Sequence, residues 1–550
     1  MRVIVIGGVA GGMSAATRLR RLDEAAEIVV LEQGDYVSYA NCGLPYYVGG
    51  EIADRAELLL HTPESLAARF RLDVRTRHEV LALDLDERRV EVVDHRSDSL
   101  VELDYDVLIL AVGATAHPID ADGVPVHTLR TVDDVDAISA LLAGDAGKTA
   151  LVVGGGYIGL EATENLVRRG VATTLVHRGA HVLGTLDPEL AVLVEDELRA
   201  NGVELRTSTE IRSVADGEVL LSDGLTVRPD LIVNASGAAP NTSLARAAGL
   251  RLGANGGIAV DEANRTSDPR VYAVGDGVEK LGPDGAETLV AMAGLANRHG
   301  RTAADVIAGR EEGNSPALGT AIVRVFGLSA ASVGWSERRL RRAGRAFRVV
   351  HTHPTSHAGY FPGAERMALK LLIDPADDAI LGAQAVGGAG VDKRIDVLAV
   401  AMAGGITASR LARLELAYAP QYGQAKDPIN QLGYVADNLR TGTTTTVQWH
   451  ELGALQRDGA TVVDVRSDAE REAGAIPGAL GIPLDEIRER LEELPDAPVI
   501  VYCQVGQRGH TAARLLMQHG VDARNLDGGY RTWSAGSAAA VAAPETMEAR

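Results

Sequence analysis

The chain has 550 residues with 61 glycines and two cysteines, and acidic side chains outnumber basic ones by 75 to 54, a formal net charge of −21. That balance argues against a binder of nucleic-acid phosphates, and two cysteines cannot build a disulfide scaffold or a cysteine-rich metal cluster. A composition of 46% hydrophobic and 23% charged residues excludes wholesale disorder and points to roughly three or four globular domains. The opening MRVIVIGG carries no basic leader, and no segment approaches ~20 uninterrupted apolar residues. A soluble, cytoplasmic protein with no membrane partner is expected.

In chain order, the first apolar run, Arg2 to Ile6, leads into GGVAGG and a helical stretch, MSAATRLRRL. Gly7 and Gly12 take the outer positions of a G-x-G-x-x-G fingerprint, with Val9 at the middle glycine and Ala10 after it. Such a turn presents backbone N–H groups and a helix N-terminus to a pyrophosphate. Glu32 ends the next strand, IVVLE, twenty residues beyond Gly12, where a carboxylate accepts ribose hydroxyls. A glycine cluster alone would be a plain strand-to-helix turn. Strand, turn, helix and Glu32 together read as a dinucleotide site.

Next comes SYANCGLPY, from Ser38. Asn41 is a good N-cap and Pro45 suits a first helical turn, which would put Cys42 at a helix N-terminus and favour its thiolate. No second cysteine lies near, so a dithiol–disulfide cycle within the first 440 residues is impossible. The partner of Cys42 must be a substrate thiol, a persulfide sulfur, or oxygen as a sulfenic acid. The strand–glycine–helix grammar returns at ALVV, where Gly154, Gly156 and Gly159 match G-x-G-x-x-G in full. There LVHRG sets His177 where a ribose-binding acid would sit, with Arg178 after it. These two cations suit a 2′-phosphate, so NADPH is favoured with NADH also usable. Strand-like VLILAVG (107–113), LIVNASG (231–237) and VYAVGDG (271–277) complete an α/β pattern of two Rossmann-like domains.

Beyond residue 326 the text turns α+β. TGTTTT (441–446) reads as a polar linker, 447–537 as a further α/β domain, and 538–550 as a disordered tail. In that last domain Cys503 directly follows the strand VIVY, at the start of a loop ending at Arg508. Successive N–H groups of such a loop form an anion-binding nest around a charged sulfur.

With Gly275 and Asp276 in VYAVGDG, the first 440 residues resemble the flavin-dependent pyridine nucleotide–disulfide oxidoreductases. The resemblance implies bound FAD, in contact with Asp276 and with Gly113 among its neighbours, and exchangeable NADPH or NADH. SYANCGLPY together with YAPQYGQAKDPIN (418–430) resembles the single-cysteine branch: coenzyme A–disulfide reductases, NADH oxidases and persulfide reductases. In that branch Cys42 would be the redox centre, with Tyr360 and Tyr418 beside it to protonate a leaving sulfur. Ser14, Arg18 and Arg21, on one helix face, would bind coenzyme A together with Ser38, Asn41 and Lys426. Asn297 departs from some members, which carry His there; His299 is nearby. A homodimer is implied. VVDVR (462–466), GAIPGALGIPL (474–484) and NLDGGYRTW (525–533) resemble a rhodanese domain, with Cys503 the persulfide carrier and Arg508 holding its charge. Gln504 stands where many thiosulfate users have a basic residue, which argues against thiosulfate as donor.

The domains expected are a discontinuous FAD domain (1–115 and 255–325), an NAD(P) domain (148–254), a dimerisation domain (326–440) and the rhodanese. The expected activity is NAD(P)H-driven reduction of persulfide or polysulfide through Cys42, with sulfane sulfur supplied by Cys503, and no metal. The alternatives are coenzyme A–disulfide reduction, NADH oxidase or peroxidase chemistry, and a non-catalytic sulfur sensor.

Overall fold

The computed structural model describes residues 1–144 and 147–542. They form two compact units, one of residues 1–154, 162–173 and 211–319, the other of 155–161, 174–210 and the chain from Thr320 onward.

The first unit is built on a parallel five-stranded sheet in the order Val271–Ala273, Val107–Leu110, Arg2–Ile6, Glu27–Glu32, Asp73–Thr76. Its central strands are apolar on both faces because both are covered. Val3, Val5, Ile28 and Val30 pack with Met13, Leu19, Ala303 and Ala304 of the helices Ala10–Leu22 and Ala293–Ile307. Ile4, Ile6, Val29 and Leu31 pack the other way, against Val90, Val92 and Leu103 of an antiparallel three-stranded sheet. Each such side chain, fully buried, contributes about 1.5–3 kcal/mol. The chain runs from Arg2–Ile6 to neighbours on opposite sides, so a crevice opens beyond the C-terminal ends of the strands at that reversal. The same unit holds a second parallel set, Thr149–Val153 beside Leu231–Asn234 beside Val126–His127.

The second unit holds the antiparallel sheet Ala321–Val325, Leu328–Gly334, Ile380–Gly387, Met367–Ile373, Arg348–Thr352. It also holds a parallel sheet in the order Thr446–Val447, Ala523–Leu526, Val499–Tyr502, Thr461–Asp464, Leu480–Gly481. Two expectations change here. The last helix, Gly529–Ala542, runs on through residues read as tail, so only 543–550 of that reading remain, and they lie outside the described residues. The polar linker is tied down at its C-terminal end: Thr444 is buried with its hydroxyl on His510 Nδ1 (2.7 Å), and Thr443 O accepts from Arg514 (2.6 Å).

Lys370, fully buried in the strand Met367–Ile373, places its ammonium 2.9 Å from Asp187, 2.5 Å from Glu189 and 2.6 Å from Glu337. These three carboxylates are spaced closely enough to hold a metal ion, but the ammonium already lies among them. Burial alone would lower the lysine pKa; the three carboxylates hold it well above its usual value. Among the described residues no helix is long and apolar enough to cross a membrane.

Candidate active sites

In the first unit the glycine turn has the shape a nucleotide needs. Gly7 has φ +103°, and a Cβ there would lie 2.3 Å from Ala111 O; one on Gly12 would lie 1.9 Å from Gly7 O. Strand, turn and helix therefore approach more closely than any side chain allows. Val9 directly precedes the helix that Ala10 begins. Glu32 Oε2 accepts from Gly8 N (2.8 Å) and its Oε1 from Gly34 N (2.9 Å), so the carboxylate braces the turn from the neighbouring strand end. Gly113 and Gly275, at φ +66° and +88°, follow the other two strands lining the crevice, with Asp276 next. Beneath that last turn lies a residue the sequence reading missed. Lys280, buried, donates to Gly275 O and Val278 O (both 2.8 Å), and burial, partly offset by Asp276, brings its pKa down to about 8. In the second parallel set, Gly154 (φ +111°) repeats the close approach, since a Cβ there would lie 2.2 Å from Ala235 O.

Cys42 is exposed and lies on a short turn strapped to the first glycine loop, since Ser38 N, from a left-handed residue at φ +48°, donates to Gly8 O (2.8 Å). The expected N-cap is corrected here. Asn41 begins a 3-10 turn, Asn41–Gly43, and its Oδ1 accepts from the Cys42 N–H (3.1 Å) and lies 3.7 Å from Cys42 Sγ. The following helix, Leu44–Val48, has Pro45 in its first turn as expected. Its five residues carry too little aligned dipole to activate the thiol by themselves.

Ser14, Arg18 and Arg21 lie at the predicted i, i+4 and i+7 spacing, and the structure separates their roles. Ser14 Oγ donates to Asn297 Oδ1 (2.7 Å), and Arg18 grips the buried Asp305 through Nε (3.0 Å) and Nη2 (2.6 Å). Arg21 is exposed, its Nε donating to Thr17 O (3.0 Å) on its own helix. Arg301 and Arg310 also approach Asp305, at 3.7 and 3.6 Å, so three guanidiniums share one carboxylate and the patch stays positive. His299 does not stand in for Asn297: it is buried, and burial lowers its pKa to about 4.

Gly156 directly precedes the helix Tyr157–Arg168, and Gly159 is that helix's third residue. His177 differs from expectation. Its Nδ1 accepts from Gly155 N (3.1 Å), which requires a ring nitrogen without a proton, and burial lowers its pKa. It therefore braces its glycine loop much as Glu32 does, leaving Arg178 as the exposed cation of the pair. Tyr360 and Tyr418, 77% and 49% exposed, share a hydrogen bond of 3.2 Å that raises the Tyr360 pKa. Lys426 is exposed, and Tyr422 and Phe361 add to the uncovered aromatic surface.

Cys503, wholly buried, ends the strand Val499–Tyr502 at the centre of its sheet. Among the described residues the N–H groups of Gln504 to Gly509 bond no acceptor, and the helical ladder begins with His510 N on Gly506 O. A run of successive N–H groups in such a loop suits a sulfur bearing negative charge. Arg508 is not free: it is bidentate to Glu470 (2.8 and 2.5 Å) while facing Cys503, and it holds the Glu470 pKa down to about 2. Gln504 Oε1 accepts from Arg466 (2.9 Å), itself paired with Asp464 and stacked over Tyr530 at 4.4 Å. Sequence reasoning missed Glu470, although its S-x-x-E box with Ser467 was visible.

Two nucleotide cradles combined with an exposed thiol define a nucleotide-dependent oxidoreductase of sulfur. Residues 1–295 match the pyridine nucleotide-disulphide oxidoreductase family, 320–427 its dimerisation domain and 448–536 the rhodanese-like domain. The chain belongs to that family; it is a flavoprotein and an NAD(P)H-dependent oxidoreductase fused to a rhodanese-like domain. It is similar to the coenzyme A disulfide reductase of Staphylococcus haemolyticus, 36% identical over 440 residues, covering 80% of this chain and all of that one. Among solved structures it is similar to reduced CoADR-RHD of Bacillus anthracis (41% identity, 97% of this chain and 98% of that one, TM-score 0.94). It is also similar to an NAD-dependent persulfide reductase from A. fulgidus (36%, 97% and 100%, TM-score 0.90).

Proposed function

We propose that the chain reduces persulfide sulfur through Cys42, with coenzyme A as the carrier thiol and Cys503 as the source of sulfane sulfur. The observation that carries this reading is the pairing of two unlike cysteines in one chain. One is exposed on a turn strapped to the first glycine loop, and the other is buried and followed by six N–H groups that, among the described residues, bond no acceptor. A sulfur carrier has no purpose beside a plain oxidase. A relative matching 80% of the chain is named a coenzyme A disulfide reductase and a solved structure matching 97% of it an NAD-dependent persulfide reductase, which supports the same class of substrate.

Cys503 thiolate attacks the outer sulfur of a donor persulfide, becomes Cys503–S–S⁻, and releases the donor thiolate; coenzyme A thiolate then takes that sulfur and regenerates Cys503. Cys42 thiolate next attacks the carbon-bound sulfur of R–S–SH, forming Cys42–S–S–R and expelling HS⁻. FAD, when bound, would supply the electron pair, drawn from NAD(P)H, that reduces Cys42–S–S–R to R–S⁻ and the Cys42 thiolate. Gly7, Val9, Ala10, Gly12, Glu32, Gly113, Gly275 and Asp276 would hold it, and Lys280 braces the last of these turns. Gly154, Gly156 and Gly159 would take the nicotinamide nucleotide, with Arg178 alone left to meet a 2′-phosphate, so a preference for NADPH rests on that one side chain. Tyr360 and Tyr418 protonate the leaving sulfur, and the uncovered aromatics around them suit a homodimer contact. Coenzyme A disulfide reduction uses the same residues and is the second reading, supported by the names of the relatives.

The positive patch around Asp305, with Arg21 reaching outward, suits the coenzyme's phosphates. Arg21→Ala should raise KM for coenzyme A disulfide or persulfide about 3- to 10-fold with kcat nearly unchanged, as loss of uniform binding does. For the relay, Cys503→Ser should lower polysulfide-dependent NAD(P)H oxidation at least about tenfold and spare reduction of added coenzyme A persulfide. Unchanged polysulfide turnover would refute the relay.

A further inference from the structure

Asp527, two residues ahead of the glycine that backs the Cys503 loop, is held from outside its own domain. His351, in the strand Arg348–Thr352 of the antiparallel sheet, donates to Asp527 Oδ2 from its backbone N–H (2.9 Å) and from Nδ1 (2.7 Å). Its Nε2 meets Glu189 Oε1 at 3.0 Å, and Glu189 is held in turn by Lys370. Both carboxylates and the ring are 3% exposed.

From Asp527 the chain turns through Gly528 and Gly529, both left-handed, at φ +67° and +64°. A Cβ on Gly529 would lie 2.3 Å from Cys503 O, 2.7 Å from Gly506 N and 2.9 Å from Val505 N, so this backbone lies directly against the sulfur-binding loop. Tyr530 N then donates to Cys503 O (2.8 Å) and Arg531 N to Gln504 O (3.1 Å). A second link runs parallel, from His353 Nε2 to Thr532 Oγ1 at 2.8 Å.

We infer that His351 is a positioning residue for sulfur transfer at Cys503: an imidazolium of the dimerisation domain fixes the Asp527–Tyr530 turn, and that turn sets the loop whose N–H groups receive the charged sulfur. The inference rests on the reading of Cys503 as a sulfur carrier. It makes the rhodanese a docked part of the second unit, with its activity tied to the domain it sits on. The chemistry of the ring requires the charged form, because each nitrogen faces a carboxylate and a neutral ring would turn a lone pair toward one of them. Burial alone would lower the His351 pKa, but the bonds to Asp527 and Glu189 carry it up to about 9. The other groups facing it are Lys370 with Asp187 and Glu337, Arg341 on Glu337, neutral His353, and Gln448, whose Nε2 also reaches Asp527 (3.2 Å). The imidazolium's contribution is complete below the ordinary histidine range and is lost as pH rises through about 9.

The test uses the full chain as wild type, His351→Leu and His351→Asn, the last keeping one N–H donor toward Asp527. Sulfur uptake by Cys503 from glutathione persulfide is followed by mass spectrometry, with reduction of the flavin by NAD(P)H as the control for an intact reductase. His351→Leu should slow uptake ~10- to 100-fold, as displacement of a positioned group does, in kcat more than KM, and His351→Asn should recover most of it. Wild-type uptake should decline above about pH 9, and that decline should be missing in His351→Asn. Equal uptake by wild type and His351→Leu overturns the inference, as does a pH profile shared by wild type and His351→Asn. No uptake by wild type overturns the sulfur-carrier reading instead. If His351→Leu fails to fold, the comparison of wild type with His351→Asn still decides through the pH profile.

Discussion

Cys42→Ser should abolish persulfide and disulfide turnover, with a fall on the order of 10⁴-fold or more, while NAD(P)H should still bleach the flavin absorbance. The magnitude follows from removing a nucleophile that no other group can replace. Cys42 and Cys503 are the two cysteines of the chain, and Cys503 is enclosed in its own domain core. A serine hydroxyl at residue 42 would still meet Asn41 Oδ1, so the turn persists and the loss is chemical. Steady-state turnover with coenzyme A disulfide, read beside the anaerobic half-reaction with NAD(P)H, checks both halves of the expectation.

The largest effect on stability is expected at Lys370. Its replacement by Met leaves Asp187, Glu189 and Glu337 buried without the cation they share, and breaking such a network costs about 3–5 kcal/mol. In the wild type, burial would raise the Glu189 pKa, but Lys370 and His351 hold it well below the usual carboxylate range; Glu337 is lowered by the same lysine. Stability from these two groups is therefore present above the ordinary carboxylate pKa and lost as pH falls through the depressed values. In Lys370→Met the stranded carboxylates take up protons instead, so the deficit should be greatest at about pH 8 and shrink toward about pH 6. Denaturant unfolding at both values measures it. A deficit that did not change with pH would mean that packing, not charge, sets the cost.

These side chains also show where sequence reading ends. The two glycine turns and both cysteines were legible because their signals are local: a strand, a spaced set of glycines and a helix within one short window. The Asn41 N-cap failed on a local detail, since Gly43 allows a tight 3-10 turn before the helix begins. His177 was placed correctly at a strand end, but its tautomer is set by the N–H of Gly155, a loop residue far back in the chain. Arg18 looked like a free cation because Asp305, its partner, is 287 residues away. Lys370, in MALKLLI, carries no local signal of its role. All seven residues of that strand are buried, and the lysine's three partners come from two distant segments. The charged network through His351 to Asp527 joins residues 176 apart and has no sequence pattern to announce it.

The family, the two nucleotide sites and the appended rhodanese leave the sulfur substrate as the decisive question. Anaerobic stopped-flow re-oxidation of the NAD(P)H-reduced protein, mixed in turn with coenzyme A persulfide, coenzyme A disulfide and O₂, measures it directly. The account predicts fastest re-oxidation by coenzyme A persulfide, with one sulfide released per two electrons. Fast re-oxidation by O₂ alone, with both sulfur substrates inert, would contradict it.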